Sequence, residues 1–290
     1  MWLGVSIALV GALGYAGGAA IQQYEAAHGG ATFKLVRRRR WWIGGAIGFL
    51  GAALHALALS FAPLVLIQPV SVTTLVFAVP LAAVLHGRRP HRAEVLGSAA
   101  VSVGLLGIML LIPQSHSRPE LSTPGALSFL ACVGAVVAVC ELSARRARGT
   151  AKALLTSIGA GAVTASVSTF VRVVGGTFDG NLSHLFHWFT LAIPALLVCA
   201  IVLLQRSYAV GHFSVAYAGV QVVDPVTSVL AGVILLGEPL PADPRSIVPA
   251  LVSAAVLIAG TITLGRLRPD IASPPSPAEA VPVRTRAAAR

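Results

Sequence analysis

Residues 207–238 read SYAVGHFSVAYAGVQVVDPVTSVLAGVILLGE. Gln221, Asp224 and Pro225 stand in the middle of this apolar stretch, and no other Asp, Glu, Lys or Arg follows before Glu238. A carboxylate at the centre of a membrane-spanning helix costs about 2.5–3.5 kcal/mol to insert on translocon scales, so something must compensate it. Pro225 donates no backbone hydrogen bond and frees a helical carbonyl, which is tolerated at membrane depth only where protein or a water-filled cavity satisfies it. The stretch is therefore expected to be a broken helix lining a transport path.

The rest of the chain has the same character. Of its 290 residues 56% are hydrophobic and 11% charged, against about 25% charged in ordinary soluble domains, and its mean hydropathy is +0.83. Apolar runs occupy residues 2–24, 41–61, 64–85, 95–112, 124–142, 153–175, 185–204, 213–236 and 247–264. Most are long enough to cross a hydrocarbon core of about 30 Å at 1.5 Å per residue. The expectation is an all-α polytopic membrane protein with nine transmembrane helices. The first run lacks a basic leader and a small-residue cleavage site, so it is counted as a span rather than a signal peptide. Cys132, Cys140 and Cys199 fall inside apolar runs without disulfide or metal spacing and are read as small buried hydrophobes.

The formal net charge of +11 is explained by topology, and no nucleic acid is expected as a partner. All but Arg118, Arg172 and Arg245 of the 21 Lys and Arg lie in alternate connections or in the C-terminal tail. Lys and Arg concentrate on the cytoplasmic side. The N-terminus is therefore expected outside and the C-terminus in the cytoplasm of a multi-pass protein of the cell membrane. Residues 266–290, rich in Pro, Ala and Arg, are expected to form a disordered basic tail.

Two stretches share one order of features. HALALSFAPLVLIQPVSVTTLVFAVPLAAVLHGRR starts at His55, and LLQRSYAVGHFSVAYAGVQVVDPVTSVLAGVILLGEP starts at Leu203. In each, a span ends in a small-residue turn, a proline-bearing span follows and closes at Gly87 or Gly237, and a glycine-containing span comes next. By the loop charges the two copies run in opposite directions. This predicts a four-plus-five inverted repeat, with residues 1–113 holding four helices and 122–265 holding five. Inverted repeats recur in secondary transporters, with the site near the midplane where they meet.

The first repeat, with Trp41-Trp42, Gly45, Gly48, Ala58 and the Ala62-Pro63 turn leading to Pro69, resembles the NIPA-type magnesium transporters. The second, with Pro225 and the span end Leu235-Leu236-Gly237-Glu238, is similar to the EamA repeat of the drug/metabolite transporter superfamily. The resemblance implies a nine-span form lacking one helix of the first half. His86-Gly87-Arg88 departs from the Gly-Glu usual in the superfamily, so the first half lacks that carboxylate.

Asp224 is the leading candidate for a proton-titrating or substrate-binding group. The alternatives are a structural carboxylate capping freed amides or one paired with Arg172. Gln221, three residues earlier, shares its helix face. By the repeat, His55 and Gln68 approach the same region. Arg172 either snorkels to an interface or turns inward toward Asp224 or an anionic substrate. Thr73 and Thr74 are expected to bond locally to freed carbonyls. Gln22, Gln23 and Glu25 read as an ordinary polar helix end. Gly44, Gly48 and Ala52 form a small-residue face assigned to packing inside the chain, with a homodimer as the alternative.

No nucleotide-binding loop, zinc-binding helix or Ser/His/Asp set is present in the sequence, so neither an enzyme, a cofactor nor a bound metal is expected. The expected function is ion- or proton-coupled transport of a small metabolite or drug-like compound. Magnesium transport, implied by the NIPA resemblance, is the alternative, and a non-transporting membrane scaffold is the third.

Overall fold

A computed structural model describes residues 2–30, 33–58, 60–61, 70, 72–111, 121–177, 187–210, 212–237 and 244–267. Nine α-helices lie among these residues, and none of them is in a strand. They are α1 (Trp2–Gly29), α2 (Arg39–Ala58), α3 (Thr74–Leu85), α4 (Arg92–Leu111), α5 (Thr123–Arg146), α6 (Gly149–Thr177), α7 (Trp188–Tyr208), α8 (Phe213–Leu236) and α9 (Ile247–Gly265). Each expected apolar run contains one helix. Seven, all but α2 and α3, are identified as long and apolar enough to cross a bilayer. At 12 residues and 1.5 Å per residue, α3 by itself is shorter than a hydrocarbon core. The start of its expected span, residues 62–69 with Gln68, lies outside the described residues. The chain is an all-helical, multi-pass membrane protein.

The bundle wears its large apolar side chains outside. Phe49 is 78% exposed, Ile234 73% and Leu96 67%, while the buried set is dominated by alanine and valine. Lipid tails are as apolar as leucine, so burying leucine would not drive helices together; close packing of small residues does. The two longest helix seams are of this kind.

Helices α1 and α2 pack antiparallel along glycines. A Cβ added at Gly18 would lie 2.6 Å from both the Gly44 carbonyl oxygen and the Gly48 nitrogen, and one at Gly11 2.8 Å from the Gly51 oxygen. Gly44 and Gly48 thus serve packing inside the chain. Helices α4 and α9 repeat the arrangement. A Cβ at Gly104 would meet the Leu257 nitrogen and the Ser253 oxygen at 2.6 Å, and one at Gly260 the Val101 nitrogen at 2.7 Å. Helix α6 packs on α5, α7 and α8, and α1 also touches α3 and α7.

Helix α8 is continuous from Phe213 to Leu236, with Pro225 inside it, so the expected break does not occur. One missing N–H releases the carbonyl four residues back, while the remaining hydrogen bonds of a 24-residue helix hold it together. Pro80 and Pro194 are carried inside α3 and α7 in the same way.

The polar end of α1 also differs from expectation. Gln23 is fully buried and Glu25 is 5% exposed. Glu25 accepts a hydrogen bond and ion pair from Arg38 at 2.9 Å, and Gln22 Oε1 accepts from Gln205 Nε2 of α7 at 3.3 Å. The chain entering α2 and the end of α7 cover what would otherwise be a solvated helix terminus. Glu141 of α5 is ion-paired with Arg206 of α7. Cys140 is buried as expected, whereas Cys132 and Cys199 are exposed on the bundle surface.

If backbone contact holds α4 to α9, Gly104→Val should destabilise the protein by about 1–3 kcal/mol, the usual range for overpacking. Gly134→Val is the control, because a Cβ there meets nothing within 4 Å. Thermal melting in detergent should fall for Gly104→Val alone; equal melting of the two variants would contradict this packing.

Candidate functional site

The face of α8 carrying the polar residues has a helical logic. Gln221, Asp224 and Ser228 sit at intervals of three and four, so their side chains point the same way. Burial along α8 changes at the same place: every residue from Phe213 to Val220 is buried, and from Gln221 onward the helix opens.

What it opens onto is a cavity of about 550 Å³. Small residues of the α1–α2 seam, among them Gly11, Ala12, Gly51 and Ala52, form one wall, and Leu105 and Met109 of α4 supply an apolar side. The polar lining is Tyr15, His55, Thr74, Arg172, Gln221, Asp224 and Ser228. Four of the five residues singled out from sequence therefore meet at one place, from α2, α6 and α8. The fifth, Gln68, lies outside the described residues.

The bonding within the cavity is sparse. Gln221 Nε2 donates to Thr74 Oγ1 at 2.9 Å, joining α8 to the start of α3. Ser228 Oγ donates to Asp224 Oδ1 at 3.3 Å. Among the described residues Asp224 makes no ion pair with Arg172, so the structural pairing weighed from sequence is absent. The His55 ring makes no hydrogen bond among the described residues. A carboxylate with one long hydrogen bond and an unbonded imidazole are costly in hydrocarbon and inexpensive beside water or a polar solute. The arrangement can therefore accept a proton, a cation or a hydrogen-bond donor.

One side of the cavity is closed. Tyr208 and Phe213 lie with ring centroids 5.3 Å apart, as do Phe213 and Tyr217, and all three are at most 3% exposed. Beyond them lies the Gln22–Gln205 hydrogen bond. The lining comes from the N-terminal half of α1, the ends of α2, α4 and α6, the start of α3 and the middle of α8. The cavity therefore belongs to the side of the bundle where α1 begins.

Sequence reasoning missed one contact of Thr74. Thr73 makes the expected local bond, donating from Oγ1 to the Val70 carbonyl at 2.6 Å, and Thr74 reaches across to α8, where its Oγ1 accepts from Gln221. Ser228 was legible as the residue four beyond Asp224, and Tyr15 as a polar ring midway along a small-residue helix. Among the described residues no group of three or more His, Cys, Asp or Glu is placed to hold a metal ion.

No protein-family model matches the chain, and no solved structure matches it. An uncharacterized protein of Corynebacterium glutamicum is 26% identical over 235 residues, which cover 78% of this chain and 79% of that one. The similarity runs over most of both chains and brings no activity with it.

Proposed function

We propose that this protein is a secondary transporter that moves a small metabolite or drug-like compound across the cell membrane by alternating access, coupled to protons or another ion. The observation that supports the reading is that His55, Arg172, Gln221 and Asp224 line one cavity although three separate helices carry them. Asp224 is the coupling or binding carboxylate. Gln221, fixed by Thr74, and His55 offer hydrogen bonds to the solute, and Arg172 sets the charge at the rim.

Placing the arginine-rich connections in the cytoplasm puts the N-terminus outside and the C-terminus inside. All nine helices then belong to membrane-crossing segments. In this orientation the cavity faces outward, and Tyr208, Phe213, Tyr217 and the Gln22–Gln205 bond form the inner seal. Alternating access requires α1 to part from α7 and α8 at that seal while the outer mouth closes.

The fold is that of a four-plus-five inverted repeat, as in the drug/metabolite superfamily. In it α3 and α4 correspond to α8 and α9. The antiparallel seam between α4 and α9, built on glycines of both, fits helices related by such a symmetry. A NIPA-type magnesium carrier would need carboxylate oxygens for its ion, and among the described residues Asp224 is the one acid lining the cavity.

In proteoliposomes with an imposed pH gradient, Asp224→Asn should reduce proton-driven uptake of a screened substrate by about tenfold or more, at least about 1.4 kcal/mol of coupling. The variant should still insert and purify normally. Undiminished proton-driven uptake would reject the role, and magnesium flux through the wild type would reverse the choice of substrate.

Thr74→Val removes the acceptor of the part-buried Gln221 amide, at about 0.5–1.5 kcal/mol for one hydrogen bond. Thermal melting and uptake should both fall in Thr74→Val and recover in Thr74→Ser. If the valine and serine variants behave alike, the bond contributes nothing.

A further inference from the structure

A second cavity of about 550 Å³ lies at the far side of the molecule, where α5 ends, α6 begins and α7 ends. Arg145, Arg148, Lys152 and Arg206 line it, with Glu141 as its one carboxylate among the described residues. Arg206 is engaged by Glu141 Oε2. Arg145, Arg148 and Lys152 make no ion pair or side-chain hydrogen bond among the described residues. Three cations gathered around one concavity repel each other at distances that physiological salt only partly screens. An anion seated among them removes that cost.

Two further features say which anion. Glu141 lines the cavity, and its Oε1 is buried and without a partner; a rotation of the carboxylate brings that oxygen to the cavity as an acceptor for a hydroxyl beside the negative charge. Next to the cavity, Leu142 of α5 and Val202 of α7 are 55% and 52% exposed, which continues its edge as an apolar surface. Arginine recognises phosphate by paired charge-assisted hydrogen bonds, and basic pockets between transmembrane helices take anionic headgroups.

We propose that this cavity binds a phosphodiester whose alcohol carries a free hydroxyl. The phosphate sits among Arg145, Arg148 and Lys152, and the hydroxyl donates to Glu141. The ligand is either the headgroup of an anionic glycerolipid, its tails on the Leu142 and Val202 surface, or the same headgroup free in solution. The site is independent of the transport reading.

The test uses the full chain in neutral detergent and measures thermal melting and retained ligand by native mass spectrometry. The probes are short-chain phosphatidylglycerol, phosphatidylethanol, phosphatidylcholine and lipid-free glycerophosphoglycerol. Phosphatidylglycerol should bind and raise the melting temperature, phosphatidylethanol should bind several-fold more weakly, and phosphatidylcholine should do neither. In the triple variant R145A/R148A/K152A, whose altered side chains are on the surface, phosphatidylglycerol binding should weaken about tenfold or more while melting without ligand stays unchanged. Glycerophosphoglycerol acting as well as the lipid would keep the site and make the ligand soluble. Equal effects of phosphatidylcholine and phosphatidylglycerol, or undiminished binding by the triple variant, would overturn the proposal.

Discussion

A carboxylate in the middle of an apolar helix cannot be left against lipid, and the architecture follows from how that constraint is met. Asp224 is turned onto a cavity whose lining holds a cluster of polar groups, together with Gln221 and Ser228. The cavity exists because neighbouring helices are held apart there and pressed together elsewhere. Glycine seams bring α1 onto α2, and α4 onto α9, at backbone distance. Between those seams and α8 the wall residues are too small to fill the space.

Water exclusion is equally particular. The first eight residues of α8 are buried and aromatic contacts close one end, whereas the polar turn beginning at Gln221 is not sealed. A path closed at one end and open at the other is what a carrier caught in one of its two states requires. The unbonded imidazole and the carboxylate that share one void are the observation on which the transport proposal rests.

The helices were legible in the sequence because hydrocarbon demands long apolar runs, and each of the nine runs holds a helix. The inward face of α8 was legible because a charge in lipid must find relief. Less legible were features that depend on neighbours. Pro225 looked like a break, yet one missing N–H does not interrupt a helix packed along its length. Gln22 and Glu25 looked like a solvated end, and only the approach of Gln205 and Arg38 gives them partners. Thr74 could bond its own helix or a distant one, and spacing alone does not distinguish the two. Side-chain partners between helices are set by packing, which a linear reading of polarity cannot reach.

The central claim is that Asp224 meets water from one side of the membrane. It is tested most directly by placing a cysteine one turn away, as Ser228→Cys, in a protein whose three native cysteines have been replaced. A membrane-impermeant thiol reagent should modify it when added on the side where α1 begins and should not do so from the opposite side. No reaction from either side would mean that the carboxylate lies sealed among helices, and the account would be wrong.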